Sequence, residues 1–230
     1  MIHPLTDEQL DTLLNFVGYG TLNADVWFLG MEEAGGGEEN IRTRLKFQTV
    51  EDCAEAHKLL GITKHHWEKR VIQRTWRGMC YIMLQLEGKE PTRTNIRNYQ
   101  AEKLGRFGGN TLLTELMPIP KPKISRWGYE ELIPQFSSGK QYYQRVKPRR
   151  IKHLQRLLAQ YKPSVVIGYG KGFWKDYKEL FEVYRFSPKN NFEVAYDGTT
   201  LVILTDHFTA RTMNGKFDEI VSIIKTFEVL

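Results

Sequence analysis

The sequence predicts an α/β protein of three layers, in which helices cover both faces of a central, mostly parallel sheet of four strands. Two observations lead to this prediction: four short apolar runs are typical of buried strands, and segments with the spacing of amphipathic helices lie between them. Strands that alternate with helices indicate a parallel sheet with both faces covered. At 230 residues we expect one domain, residues 1–230. The predicted strands are Val26–Leu29, Thr111–Leu116, Ser164–Ile167 and Leu201–Leu204.

Helical segments are expected on either side of these strands. Thr6 and Gln9 have the spacing of a capping box, which predicts that a first helix begins after Thr6. The stretch 43–103 is expected to be mainly helical. The run IKHLQRLLAQY has helical spacing and is ended by Pro163. We expect further helices in GKGFWKDYKELFEVY, after the third strand, and from Phe217 onward.

Composition narrows the class of protein. Cys53 and Cys80 are the two cysteines and form no CxxC pair, so they cannot make a thiolate cage for zinc or an iron–sulfur cluster. We therefore expect no metal and no cofactor, and a reducing, cytoplasmic setting. No apolar run is long enough to span a bilayer and no secretory signal is visible, so no membrane partner is expected. The simplest expectation is a monomer without an obligatory protein partner.

The distribution of charge indicates a polyanionic partner. The chain has a net charge of +6, and ten Lys and Arg residues lie between positions 118 and 156 against two glutamates. Residues 118–148 are expected to form a basic loop or subdomain excursion. Aromatic residues are interleaved there, which favours a nucleic-acid surface with stacking side chains. The alternative is a solvated basic face without a specific partner.

A polar or glycine-rich segment follows each of the four predicted strands. The carboxyl ends of parallel strands meet at one edge of a sheet, where ligands bind, so these segments predict a site. The first, VWFLGMEEAGGGEE, concentrates four carboxylates on one loop of a basic protein; the alternative is a flexible acidic connector. The glycines at 168, 170 and 172 miss the dinucleotide spacing, but this turn offers backbone N–H groups to a DNA phosphate. His207 follows the last strand, and Asp206 is expected to orient its ring.

From Asp25 to Asn214 the chain resembles the uracil-DNA glycosylase superfamily, segment by segment and in the same order. FLGMEEAGG stands where the family has a strand ending in a glycine-rich acidic motif, and NTLLTELMPIPKPK where it has a strand and a proline-bearing loop. LQRLLAQYKPSVVIGYGKGFWKDYKELF is similar to its helix–strand–helix segment. LVILTDHFTARTMN stands where the family has a strand, His-Pro-Ser and a loop that wedges into DNA. The resemblance implies a uracil-DNA glycosylase-like fold and a monofunctional DNA glycosylase.

The resemblance also implies site residues. Glu32 falls on the family's water-activating Asp, and His207 on the histidine that stabilises the departing base, so these two are the predicted catalytic residues. Glu33 and Glu38 are left open as alternatives for the catalytic carboxylate. Phe47 falls near a base-stacking Phe and Glu115 near a base-reading Asn. The predicted base-binding residues are Gly30, Met31, Glu33, Phe47 and Glu115. The predicted DNA-binding residues are Lys121, Lys123, Arg126, Gly168, Lys171, Thr209, Arg211 and Met213.

Departures from the family's motifs bear on the substrate. Gly35–Gly37 stand in place of a bulky Tyr that blocks substituents on the base in the strictest uracil enzymes. An ionised Glu115 accepts hydrogen bonds only, which suits the exocyclic amine of cytosine better than the O4 of uracil. We therefore expect activity that is not restricted to uracil and extends to a modified cytosine, in DNA repair or in defence against phage DNA. Two other functions stay open: a non-catalytic DNA-binding relative of the same fold, and a small-molecule enzyme of the nucleoside hydrolase type.

Overall fold

A computed structural model describes residues 2–69, 71–121, 123 and 125–230. Within these residues, eight strands form one mixed sheet, so the prediction of a sheet with four strands is wrong. The four predicted strands are all present and lie next to one another at its centre, in the order β4-β2-β5-β8. The strands are β1 (Gly18–Gly20), β2 (Val26–Ala34), β3 (Val50–Glu51), β4 (Thr111–Lys121), β5 (Val165–Tyr169), β6 (Ser187–Lys189), β7 (Phe192–Tyr196) and β8 (Leu201–Thr205).

The central strands are parallel and begin at the same level. Val26 of β2 lies opposite Thr111 of β4 and Val165 of β5, and Val165 lies opposite Leu201 of β8. Their carboxyl ends therefore share one edge of the sheet. β2 and β4 run past the end of β5 and stay paired as far as Ala34, with an irregular register after Glu32.

The four additional strands cover the two edges of this parallel centre. β1 pairs antiparallel with β4 and parallel with β3, whereas β7 and β6 continue antiparallel beyond β8. β1, β3 and β6 have only two or three residues each and contain no apolar run, so periodicity does not reveal them. Short edge strands of this kind leave little unpaired backbone for a foreign strand to pair with.

Helices pack on both faces of the sheet, as a three-layer arrangement requires. The side chains of β2 alternate: Trp27 and Leu29 join the core beneath α1, α6 and α7, whereas Val26 and Phe28 join the core beneath α4, α5 and α8. None of the described helices is both long and apolar enough to span a membrane. The helices are α1 (Asp7–Asn15), α2 (Glu38–Arg44), α3 (Cys53–Leu59), α4 (Arg74–Leu86), α5 (Arg93–Glu102), α6 (Gly139–Tyr161), α7 (Trp174–Leu180) and α8 (Phe217–Thr226).

Local sequence signals fix several helix ends. The predicted capping box is confirmed, because Thr6 Oγ1 accepts from the Gln9 N–H at 3.2 Å and Gln9 Oε1 accepts from the Thr6 N–H at 3.0 Å. α6 ends at Tyr161, two residues before Pro163, but it begins inside the predicted 118–148 excursion. Residues 118–121 complete β4, so the segment between β4 and α6 is shorter than expected; positions 122 and 124 of it lie outside the described residues.

Candidate active site at the carboxyl edge of the sheet

A cavity of about 310 Å³ opens at the carboxyl edge of the central strands. This volume is at the lower end of the range for small-molecule sites, roughly 300–1,000 Å³. Four predicted site residues from three separate parts of the chain line it: Glu32, Glu33, Glu115 and His207. The structure therefore brings together the two predicted catalytic residues and two of the predicted base-binding residues.

Glu32 is a buried carboxylate with one oxygen held and one oxygen free. Its side chain is 3% exposed, and its Oε2 accepts a hydrogen bond from the Tyr143 hydroxyl and lies 3.2 Å from Lys121 Nζ. Oε1 is buried and has no hydrogen-bond partner among the described residues. Burial raises the pKa of the Glu32 carboxyl above its ordinary value, and Tyr143 and Lys121 oppose the rise. The result is an oriented carboxylate with a free oxygen, as general base catalysis requires.

Glu115 is a second buried carboxyl, on the neighbouring strand β4. Its Oε1 accepts from the Tyr169 hydroxyl at 3.0 Å, whereas Oε2 has no partner among the described residues. Burial, reinforced by the nearby Glu33, raises the pKa of Glu115 to about 8, although the hydrogen bond from Tyr169 opposes the rise. A pKa of about 8 favours the neutral acid with one O–H donor at pH 7, which differs from the ionised group considered in the sequence analysis.

Arg150 contributes a buried cation to the same cavity. Its Nη2 donates to the backbone carbonyls of Val17 at 3.2 Å and Glu115 at 3.0 Å. Nε and Nη1 are buried and have no partner in the part of the chain that the structure describes. Burial lowers the pKa of this guanidinium to about 10, so it is still charged at pH 7. Buried N–H groups without a partner are costly, so these two nitrogens are hydrogen-bond donors that a water or a ligand oxygen would satisfy.

Glu33 and Glu38 differ from Glu32 in their surroundings. Glu33 forms an ion pair with the buried Arg44 at 2.7 Å and accepts from the Tyr19 hydroxyl at 2.9 Å. Glu38 pairs with Arg42 on the surface of α2 and does not line the cavity. Of the three carboxylates left open by the sequence, Glu32 is therefore the one that combines a place in the cavity with an oxygen free to act.

His207 lies at the mouth of the cavity, on the turn after β8. Thr209 orients the ring: its backbone N–H approaches Nδ1 at 3.3 Å and its hydroxyl lies 2.8 Å from the same nitrogen. Because Nδ1 accepts the N–H, the neutral ring carries its proton on Nε2. Burial lowers the pKa of His207, so the neutral form prevails at pH 7. Asp206 does not orient this ring as expected; its carboxylate instead accepts a hydrogen bond from the Thr212 hydroxyl.

Aromatic rings complete the walls. Phe16, Trp76 and Tyr169 line the cavity, whereas the predicted stacking residue Phe47 does not. Phe47 is buried behind Phe16, with the two ring centres 5.8 Å apart, and therefore supports the wall without reaching a ligand. Met31 is likewise a core residue, because consecutive side chains of β2 point to opposite faces.

Gly30 is required by the close approach of its neighbours. A Cβ at this position would lie 2.0 Å from Glu115 Oε2 and 2.4 Å from the Tyr169 hydroxyl oxygen. Any larger residue would therefore displace Glu115 and Tyr169, which line the cavity. Gly30 does not itself line the cavity as the base-binding prediction suggests; it makes room for Glu115 and Tyr169, which do.

The predicted DNA-binding residues divide by burial. Lys121 is fully buried beside Glu32 and the Tyr143 ring, so it faces the cavity network and not a phosphate at the surface. Met213 is buried, with the Thr205 hydroxyl 3.1 Å from its sulfur, and cannot act as a wedge in DNA without leaving the core. Gly168 lies inside β5, where a Cβ would lie 2.8 Å from Leu204. The exposed members are Lys123, Arg126, Lys171, Thr209 and Arg211.

The interleaved aromatics of the basic segment do not form a stacking surface, and that part of the prediction is wrong. They pack on one another around Tyr142, whose hydroxyl accepts the N–H of Ile119 at 2.9 Å. Basic side chains of the same segment stay on the surface. The buried aromatics are Trp127, Tyr129, Phe136 and Tyr142. The exposed basic residues are Lys123, Arg126, Lys140, Arg145, Arg149, Lys152 and Arg156.

A cluster of three histidines forms the far wall of the cavity. His57 and His65 line the cavity, and the Trp76 ring stacks on His57 with centres 5.2 Å apart. His66 lies directly behind them, beside Cys53. Among the described residues, Cys53, His57 and His66 are the one group whose side chains are close enough to hold a metal ion.

Comparison with models of protein families and with curated proteins finds no match for this chain. The cavity combines two buried carboxyl groups, a guanidinium with two nitrogens that have no described partner, and an oriented imidazole.

We predict that Gly30→Ala destabilises the protein, because the added methyl group collides with Glu115 and Tyr169. The expected loss in the free energy of unfolding is about 1–3 kcal/mol, the usual cost of overpacking. Urea denaturation measures it. Gly108→Ala is the matched control, since a Cβ there meets nothing within 4 Å. Equal midpoints for both variants would contradict the close packing around Gly30.

We predict that Glu115→Gln changes how stability depends on pH. In the wild type the folded state keeps the proton of Glu115 up to about pH 8, against an ordinary pKa of 4.5. The raised pKa stabilises the folded state fully below pH 4.5. This stabilisation, at most about 5 kcal/mol, decreases as the pH rises and is lost once the pH passes 8. The amide of the variant has no proton to lose. The free energy of unfolding of the variant, relative to that of the wild type, therefore increases between pH 4.5 and pH 8.

Urea unfolding at a series of pH values tests this prediction. Glu39→Gln, at an exposed position of α2, serves as the control and should follow the wild type at every pH. Parallel curves for Glu115→Gln and the wild type would show that Glu115 does not hold its proton in the folded state.

Proposed function

We propose that this chain is a DNA glycosylase with a uracil-DNA glycosylase-like fold, which extrudes one nucleotide from DNA and hydrolyses its N-glycosidic bond. One observation carries the proposal: Glu32, Glu115 and His207, remote in sequence, line a single cavity at the carboxyl edge of the sheet. The proposal assigns a separate task to each of these three groups.

Glu32 is assigned to the sugar. Cleavage of the N-glycosidic bond builds positive charge on the sugar, which a nearby carboxylate stabilises, and the same carboxylate can orient a water for attack. Oε1, which has no partner among the described residues, is the oxygen assigned to that water, while Tyr143 and Lys121 hold Oε2 in place. A raised pKa suits a general base, because it strengthens proton acceptance.

His207 is assigned to the departing base. Cleavage leaves negative charge on the base, and a donor aimed at its oxygen lowers the barrier. The contacts of Thr209 with Nδ1 leave the Nε2–H as the free donor of a neutral imidazole. A neutral donor stabilises the developing charge without placing a full cation at the mouth of the cavity.

Glu115 and Arg150 are assigned to the edge of the base. The neutral acid presents one donor and one acceptor, a pattern that fits the amine and N3 of cytosine as well as the O4 and N3–H of uracil. The unpartnered N–H groups of Arg150 add donors for a further oxygen. The cavity continues past these groups to Gln73 and His65, which suits a polar substituent on the base. The polar residues Gln73 and His65 support a substituted base, for which we propose a modified cytosine, in repair or in defence against phage DNA.

The exposed basic residues are assigned to the DNA backbone. Lys123 and Arg126 lie together after β4, and Arg211 lies on the turn beyond His207. Extrusion of a nucleotide costs a few kcal/mol. Stacking of the base on a cavity ring such as Phe16 or Trp76 offsets about 1–3 kcal/mol of that cost.

Glu32→Gln tests the proposal. We expect base release to fall by a factor on the order of 10²–10⁴, because the amide cannot take a proton or stabilise a cationic sugar. DNA affinity should be unchanged. The measurement is the formation of abasic sites in duplexes that carry uracil, hypoxanthine or modified cytosines, together with a binding titration on the same duplexes. Glu38→Gln, on the surface of α2, is the matched control and should release base at the wild-type rate.

Three outcomes would contradict the proposal. If the wild type binds DNA but releases no base from any duplex, the chain is a DNA-binding protein without this activity. If Glu32→Gln retains full base release, another carboxylate is the catalytic group. If free nucleosides are hydrolysed and Lys123→Ala with Arg126→Ala leaves that turnover unchanged while DNA is untouched, the substrate is a small molecule.

A further inference from the structure

Three potential metal ligands converge beside the cavity, outside the carboxylate site. Cys53 and His57 lie four residues apart on α3 and therefore on the same face of that helix. His66 belongs to the segment that follows α3 and returns to the same place. All three side chains are buried, and their ligand atoms lie within 4.8 Å of one another.

The distances fit a tetrahedral metal ion. His66 Nε2 lies 3.2 Å from His57 Nδ1 and 3.8 Å from Cys53 Sγ. Zinc binds sulfur at about 2.3 Å and nitrogen at about 2.0–2.1 Å, which places two nitrogen ligands about 3.3 Å apart and a sulfur and a nitrogen about 3.6 Å apart. The two distances from His66 Nε2 lie within a few tenths of an ångström of these values, and all three ligand atoms lie within 4.8 Å of one another.

Hydrogen bonding alone gives a weaker account of this cluster. Nε2 of His66 faces two groups at once, and a single proton on that nitrogen serves only one of them. A contact of 3.8 Å to a thiol is a weak hydrogen bond. One ion would satisfy all three atoms together, and a coordinated thiol loses its proton outright.

We infer that Cys53, His57 and His66 bind one zinc ion. One thiolate and two imidazoles form a soft and borderline ligand set that selects zinc over the oxygen-preferring magnesium and calcium. Three protein ligands leave a fourth position for water or another group. The ion joins α3 to the segment around His66 and thereby fixes the wall of the cavity, where Trp76 packs on all three histidine rings.

The sequence signal for this site is the run Cys53-Ala-Glu-Ala-His57 followed by the pair His65-His66. The number of cysteines does not reveal this site. Two cysteines are too few for a cage of several thiolates, whereas this site needs only one thiolate and two imidazoles. The inference is independent of the proposed function, since metal content is measured without any DNA.

Metal analysis of the untagged 230-residue chain tests the inference. We expect one zinc per chain after growth in zinc-supplemented medium and dialysis, and a fall in Tm of several degrees when a strong chelator removes it. Cys53→Ser and His66→Ala should each lose the zinc. Cys80→Ser and His153→Ala are the matched controls and should keep it, because both residues lie outside the cluster.

Cobalt exchange keeps the test decisive if the ligand variants fail to fold. Cobalt-loaded wild type and Cys80→Ser should both show a sulfur-to-cobalt charge-transfer band and the intense visible bands of tetrahedral coordination. Protein without zinc and without these bands, or zinc retained in the folded ligand variants, would overturn the inference. Iron held by the same residues would overturn the identity of the metal. Base release that is absent while zinc is present would contradict only the proposed function.

Discussion

The burial of two carboxyl groups on adjacent strands is the constraint on which the site depends. Glu32 and Glu115 lie where β2 and β4 extend past their neighbours, so the sheet itself holds both groups in the wall of one cavity. Burying an ionised group without a partner costs several kcal/mol. The chain limits this cost in two different ways: Lys121 and Tyr143 support a charged Glu32, whereas Glu115 holds its proton. Two carboxyl groups with different environments can carry out two different tasks.

These groups leave hydrogen-bonding capacity unused inside the protein. Oε1 of Glu32, Oε2 of Glu115 and two nitrogens of Arg150 are buried, and no described residue satisfies them. A chain selected for stability alone would have paired or removed them, because each unsatisfied buried group is destabilising. Local violations of this kind concentrate at functional sites. Four of the buried atoms without a described partner belong to residues that line one cavity, and the proposed function assigns them to the ligand.

The sequence indicates the centre of the sheet well and its edges poorly. Apolar runs identify buried strands, but β1, β3 and β6 are too short and too polar to stand out. Glu115 is visible as the one carboxyl within the strand TLLTELMPIPK, and His207 by its place after the last strand. These signals depend only on the order of residues along a strand, which is why they can be read before the fold is known.

The orientation of side chains on α6 and in the basic segment is harder to predict. Charge alone suggests that Arg150 lies at the surface, yet Tyr142, Val146, Arg150 and Leu154 recur every four residues and form the buried stripe of α6. That spacing predicts an inward Arg150, whereas nothing local shows that Lys121 turns toward Glu32. The Lys121–Glu32 pair joins two strands far apart in sequence, so it exists only once the sheet has formed. Phe16 and Trp76 are also far apart in sequence, so the cavity wall that they form likewise exists only in the folded protein.

The structure of a complex with DNA tests the central claim most directly. A duplex whose target nucleotide carries fluorine at the 2′ position resists cleavage, because the fluorine disfavours positive charge on the sugar. We predict that this nucleotide is extruded, with its base edge against Glu115 and Arg150 and its sugar toward Glu32. A base that stays stacked in the duplex, or DNA bound on a face away from the cavity, would contradict the account.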